Sequence, residues 1–105
     1  MIFYNVTIKI LPEVAAEWEQ WMQQQHIPDV LKTNVFKWAR FSKLLTLDNE
    51  DGITYSIQYC CKSMKEIHSY QAHFALKLQQ EHSDKFKDKF VAFRSIMEEV
   101  QYFEK

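Results

Sequence analysis

Glycine is almost missing from this chain: Gly52 is its single copy in 105 residues. Loops of the GxGxxG or GxxxxGK[ST] kind use several glycines to bring backbone against phosphate, and none can be written here. Proline is nearly as scarce, at Pro12 and Pro28, which leaves no room for a Pro- or Gly-rich linker. The only cysteines, Cys60 and Cys61, are adjacent. On a strand they point to opposite faces, so no disulfide is expected between them and both read as free thiols, suited to a reducing compartment. Net charge is -1, and no block of like charge reaches five residues, so the basic stripe that binds nucleic acid is absent. No apolar run approaches the ~20 residues of a membrane span, and no secretory leader precedes the first strand. The expectation is a cytoplasmic protein without nucleic-acid or membrane partners.

Aromatic residues are what the chain has in excess, with 8 Phe, 5 Tyr and 3 Trp. A single domain over residues 1–105 buries about two-thirds of its unfolded surface. One layer of helices on one sheet cannot hide that many rings, so some are expected to line a pocket or a subunit interface.

The organising stretch is the first one. Ile2, Tyr4, Val6, Ile8 and Ile10 alternate with Phe3, Asn5, Thr7 and Lys9, the period of two that marks a strand. A helix opens at Pro12, with Val14, Trp18, Trp21, Met22 and Gln25 on one stripe. Pro28 disfavours the helical conformation at Ile27, which predicts a stop near His26. Residues 35–47 read as a long strand with Phe36, Trp38 and Leu44 on one face and Val35, Ala39, Phe41, Leu45 and Leu47 on the other. A turn over 48–52 leads into a third strand over 53–62, where Ile53, Tyr55, Ile57, Tyr59 and Cys61 alternate with Thr54, Ser56, Gln58 and Cys60. Ser63 and Glu66 form a capping box for a second helix to about Gln80, with Ile67, Tyr70, Phe74 and Leu78 inward. Ser83 is placed to cap a short helix holding Phe86, and residues 91–103 read as a last strand.

The order β-α-β-β-α-β predicts an α+β, ferredoxin-like fold: a four-stranded antiparallel sheet, first and third strands central, with two helices on one face. The other face keeps apolar side chains on every strand. A bare face of several hundred Å2 predicts a homodimer packed sheet to sheet, a dimeric α/β-barrel.

Five stretches carry a resemblance to a known family: Tyr4-Asn5-Val6-Thr7, Trp18 with Trp21-Met22, His26-Ile27-Pro28-Asp29-Val30, Thr54 through Tyr59, and Phe90-Val91-Ala92-Phe93-Arg94. Together they resemble a family of short bacterial proteins, common in Bacteroidetes and known only as a domain of unknown function. The resemblance spans nearly the whole chain and implies a dimeric α/β-barrel like the antibiotic-biosynthesis monooxygenases, with no activity or cofactor attached. It implies a glycine where this chain has Asn34.

Six polar residues stand where spacing aims them at covered surface: Asn5, Thr7, His26, Gln58, Tyr59 and Arg94. They are the candidate ligand-binding set for a small apolar or anionic ligand. A guanidinium buried at Arg94 needs an anionic partner, either a ligand carboxylate or phosphate or one of Glu98, Glu99 and Asp29. His26 at a helix C-terminus is favoured as a cation, and its type also suits a general base. Asn5 and Gln58 can hydrogen-bond each other across the sheet as satisfied core amides. His26 and Asn5 are the candidate catalytic residues.

Some dimeric α/β-barrel enzymes degrade haem with an Asn, a Trp and a His. Asn5 and His68 or His73 match two of these, but Cys60-Cys61 stand where the Trp is expected. Others oxidise aromatic substrates without a cofactor, in a pocket that Trp18, Trp21, Trp38, Tyr55 and Tyr70 would line; aromatics at such spacings also make core. His68, His73 and His82 form no HExxH motif and no i, i+4 pair, so no metal is expected. The favoured reading is a cofactor-free binding or interaction module, and the alternative is a cofactor-independent, monooxygenase-like enzyme.

Overall fold

A computed structural model describes residues 1–46 and 51–105. Its elements are β1 (Ile2–Ile10), α1 (Pro12–Trp21), a π-helical turn (Met22–His26), α2 (Ile27–Leu31), β2 (Trp38–Lys43), β3 (Ile53–Cys61), α3 (Met64–His73), α4 (Ala75–Lys85) and β4 (Phe90–Glu98). The sheet runs β2-β3-β1-β4 with every neighbouring pair antiparallel. This is the ferredoxin-like α+β architecture, the first crossover being a continuous helical rod with a π turn inside it and the second a rod broken at Phe74.

β1 is the axis of the sheet. Ile2, Tyr4, Val6, Ile8 and Ile10 are all buried towards the helices, and Phe3, Asn5, Thr7 and Lys9 face the other way, half-buried. β3 repeats the pattern, with Tyr55, Ile57, Tyr59 and Cys61 buried under the helices. α1 contributes Ala15 and Trp18, α2 Ile27 and Val30, α3 Ile67 and Tyr70, α4 Ala75 and Leu78. Gly52 lies close under Lys9: a Cβ there would stand 2.7 Å from Cε of that side chain, which would have to shift from its 3.1 Å contact with Asp51.

Several expectations are corrected. Pro28 does not end the first helix. The Ile27 N–H reaches back to the Met22 carbonyl, the five-residue step of a π turn. That turn delays the helical phase by one residue, so the core residue after Met22 is Ile27, and Gln25 is exposed. His26 therefore sits inside a continuous rod and caps no helix end. β2 is shorter than 35–47, and Leu47 lies outside the described residues, as do 48–50 of the expected turn. Phe36 and Trp38 do not share a face: Phe36 lies ahead of the strand, 6% exposed and packed on Tyr59 and Tyr70, while Trp38 faces the other side beside Phe3. A bend at Lys37 resets the alternation. Ser63 precedes α3, but its hydroxyl donates to the Glu66 carboxylate, so the box closes side chain to side chain. The second helix breaks at Phe74 and runs on to Lys85, which puts Ser83 in its interior. β4 ends at Glu98, and residues 99–105 leave the sheet without regular structure.

Candidate functional site

The structure divides the six sequence-selected residues between the two sides of the sheet. Asn5, Thr7 and Gln58 lie on the face away from the helices. Asn5 and Gln58 are direct cross-strand partners, yet the Asn5 amide bonds elsewhere: its Nδ2 donates to Thr7 Oγ1 at 3.1 Å, and its Oδ1 accepts from Ser56 Oγ at 2.7 Å. His26, Tyr59 and Arg94 lie on the helix side, and there they meet around one cavity.

That cavity holds about 40 Å3, room for three or four waters at roughly 10–15 Å3 each. Its floor is Val6, Ile8 and Ile57; Met22 and His26 close it from the π turn, Tyr70 from α3, and Gln79 and His82 from α4. β4 forms the mouth. Ala92 sits opposite Ile8 in the register, and its single methyl leaves the space that a longer side chain would fill. π turns recur at functional sites because they re-aim side chains out of the helical ladder. This one carries His26 to the cavity wall.

Two imidazoles dominate the site. The rings of His26 and His82 stand 5.6 Å apart. His82 is 5% exposed and wrapped by Trp18, Trp21, Phe86 and Phe90. Its Nε2 accepts the Trp18 indole N–H at 2.8 Å, so its own proton is on Nδ1. His26 lies 5.3 Å from the Trp21 ring, and its Nδ1 is buried with no hydrogen-bond partner. Burial, more than any charge, lowers both pKa values to about 4; Arg94 adds to the lowering in both, the other imidazole adds to it for His82, and Asp29 opposes it at His26. Both are neutral at pH 7, contrary to the cationic helix-end His26 expected above.

Arg94 is the other correction. It follows the inward phase, opposite Val6, but it is solvent-exposed because the helices cover only the Phe90–Ala92 end of β4, where His82 packs on Phe90. Among the described residues no carboxylate stands within ion-pair distance of it. Asp29 instead takes the Gln25 amide at 2.7 Å and Lys32 at 4.0 Å. The guanidinium acts on Tyr4: burial raises that phenol's pKa, while the charge and hydrogen bonding of Arg94, and then Gln79, pull it down. Burial raises the pKa of Tyr59 and Tyr70 as well, and their phenols keep their protons. The site is an aromatic-walled chamber of neutral donors and acceptors with one cation at its mouth.

The five aromatics expected to share a pocket do not. Trp18 is fully buried between Phe41 and Tyr55, a core position, and Tyr55 turns away to donate to Glu19 Oε2 at 2.6 Å. Trp21 packs over the histidines, Trp38 lies across the sheet, and Tyr70 lines the cavity. His68 and His73 are exposed on α3, on the opposite side of the sheet from Asn5, so the three-residue haem geometry is not assembled. Both cysteines are buried, with thiol pKa values raised by burial. Among the described residues no cluster of His, Cys, Asp and Glu could hold a metal ion, and no helix is long and apolar enough to cross a membrane.

His82, Tyr4 and Gln79 were not among the residues the sequence pointed to for ligand binding. His82 had a signal: it stands four residues beyond Leu78 on the buried stripe, and ending the helix near Gln80 hid it.

The sequence matches the family Domain of unknown function (DUF4286) over residues 1–100, and the chain belongs to it. Among curated proteins none matches. Solved structures share the fold at low identity. A Deinococcus radiodurans protein assigned to the antibiotic biosynthesis monooxygenases is 13% identical, covering 100% of this chain and 98% of that one, with a TM-score of 0.70. A dimeric ferredoxin-like protein from an uncultured marine organism is 14% identical over 100% of both chains, TM-score 0.65. SnoaB, a cofactor-independent oxygenase from Streptomyces nogalater, is 10% identical over 99% and 98%, TM-score 0.65.

Proposed function

We propose that this DUF4286 protein is a cytoplasmic bacterial binding module, one ferredoxin-like domain over residues 1–105. It forms a homodimeric α/β-barrel and holds a small ligand between sheet and helices. One observation carries the ligand reading: His26 lines a cavity, and its buried Nδ1 has no hydrogen-bond partner among the described residues. An unsatisfied buried polar atom costs about 1–3 kcal/mol, which folded proteins seldom leave uncompensated. A ligand would meet His26 at the inner end, Tyr59 and Tyr4 along the wall, and Arg94 at the mouth. That order suits a small anionic molecule whose carboxylate sits on the exposed guanidinium at the mouth, since the enclosed space of about 40 Å3 admits only a few of its atoms.

Dimerisation draws on the uncovered sheet face. It carries Phe93, 63% exposed, and Val91, 67% exposed, and its centre is neutral Asn5, Thr7, Ser56 and Gln58. In the dimer those polar residues would line the seam between two sheets. The likeness to a protein named as dimeric supports this.

The second reading is a cofactor-independent, monooxygenase-like enzyme acting on an aromatic or apolar small molecule. The fold likeness to a cofactor-independent oxygenase favours it, and so does a cavity that His26 and Arg94 both line. Against it, a base with a pKa of about 4 abstracts protons poorly at neutral pH, where the best catalytic base titrates near 7. Asn5, the other catalytic candidate, lies across the sheet from the cavity.

The test is a thermal-shift screen of small aliphatic and aromatic carboxylates against their amides, on the wild type, His26→Leu and Arg94→Gln. The binding reading expects carboxylates to raise the wild-type Tm, amides to do so less, and both variants to lose the shift. No shift with any probe, or equal shifts in all three proteins, overturns it. Oxygen uptake with a shifting ligand would favour the enzyme.

A further inference from the structure

The chain does not stop at the sheet. Beyond β4, residues 99–105 run out as an arm whose large apolar side chains are turned to water: Val100 is 97% exposed, Tyr102 68% and Phe103 79%. Among the described residues the arm is tied to the body by one backbone bond, Glu99 N–H to the Met1 carbonyl at 2.9 Å. Its other contact is internal, Tyr102 Oη to Glu104 at 2.7 Å. Fully extended, seven residues reach about 23 Å, so the arm can span a neighbouring sheet. It starts at the end of the sheet where the uncovered face is apolar on every strand: Met97, Phe3, Cys60 and Trp38 stand side by side in register there.

We infer that this arm is half of the dimer interface, reaching from each copy of the chain onto the other. The inference rests on the sheet-to-sheet dimer proposed above and adds the segment which that dimer lacks. The need is one of area. Strands of nine, nine, nine and six residues, spaced about 4.8 Å apart and rising about 3.3 Å per residue, give a face of roughly 520 Å2. A stable specific interface buries roughly 800 Å2 per partner. Two aromatic rings and a valine supply several hundred Å2 more, which closes the gap. A second copy is the fitting occupant because a two-fold dimer gives each arm and each face its match. The arm adds little charge: Glu99, Glu104 and Lys105 are its charged side chains, whereas an arm built for a nucleic acid or an anionic membrane would be basic.

Three proteins test it by sedimentation equilibrium and hydrogen exchange: the full chain, a chain ending at Glu98, and Phe93→Glu on the open face. The full chain is expected to sediment at twice its 12.7 kDa, with amides 100–103 protected only above the dimer dissociation constant. Ending the chain at Glu98 should weaken the dimer by at least about 100-fold while the far-UV spectrum of the fold is retained. Phe93→Glu should give a monomer with an unprotected arm. If the shortened chain dimerises as tightly as the full one, the arm inference fails and the sheet dimer stands. If the full chain is monomeric at 100-micromolar concentration, the dimer reading fails and takes the arm with it. If arm amides are protected in the Phe93→Glu monomer, the arm folds on its own copy, and the exchange is refuted.

Discussion

Two buried neutral imidazoles, 5.6 Å apart, should respond in opposite directions to the same substitution. His82 is the acceptor for the Trp18 indole N–H, and Trp18 is fully buried. His82→Leu removes that acceptor and strands the donor, at a cost of about 1–3 kcal/mol. His26 has the reverse position. Its Nδ1 has no partner among the described residues, so His26→Leu strands no protein donor or acceptor and places an apolar side chain of similar bulk against Trp21. The expectation is a gain of about 1 kcal/mol, since replacing an unsatisfied polar group by an apolar one of like shape is neutral to stabilising. For a domain near this size, 1 kcal/mol moves Tm by about 4–8 °C. The two variants should therefore separate by roughly 2–4 kcal/mol, readable by guanidinium and thermal denaturation at pH 7. Protein concentration must be fixed, because a dimer's stability depends on it. His26→Leu should also abolish any ligand-induced shift, marking the unsatisfied atom as a cost of function. If both variants lose stability by similar amounts, His26 is held by a contact that the unpaired nitrogen does not reveal, and the ligand argument built on it falls.

Three more outcomes follow from the same geometry. Both histidines have folded pKa values of about 4, below the unfolded value near 6.5, so the unfolded chain takes up protons in that window and the folded one does not. Their stabilisation is complete above pH 6.5 and is lost as pH falls towards 4, by at most about 1.4 kcal/mol per pH unit for each; Tm measured from pH 7 to 4.5 should fall, and fall less in His26→Leu. A flat profile would contradict buried neutral imidazoles. Asn34 sits at φ 63° just past α2, where the left-handed conformation costs most L-residues about 1–2 kcal/mol; Asn34→Gly should stabilise by ~0.5 kcal/mol and Asn34→Val destabilise by ~1 kcal/mol, the two midpoints moving apart in denaturant. Cys60 and Cys61 are about 1% and 0% exposed with raised thiol pKa values, so an aromatic disulfide reagent at pH 8 should titrate neither in the native protein and both in denaturant.

What was legible in the chain, and what was not, follows from how each feature is written. The strands are encoded locally: β1 alternates without a fault from Ile2 to Ile10, and pairing can only place its apolar phase inward, which also sets β3 against it. Asn34 was legible too, as the place where the resemblance asks for glycine and the backbone turns left-handed. The π turn was not, because periodicity assumes a constant phase. Met22 and Ile27 are five apart, a spacing that fits no α-helical stripe, and only their joint burial against the sheet shows that the register slips between them. That slip, with Pro28 tolerated beyond it, is what carries His26 to the cavity. Polarity misled in the other direction for β4. Arg94 in an apolar strand reads as buried, yet burial depends on what lies above a strand, and here the helices leave the edge strand open beyond Ala92. Tyr4 shows the converse, a hydroxyl concealed in a run of isoleucines and valine. The chemistry of this protein is therefore concentrated where one-dimensional patterns change phase or meet an edge. A second DUF4286 chain with the same strand alternation but an unbroken α stripe through the position of Met22 would keep an imidazole from α4 at the cavity wall and lose the one that the π turn supplies. If the binding reading holds, such a chain should lose the carboxylate-induced rise in Tm expected of this one.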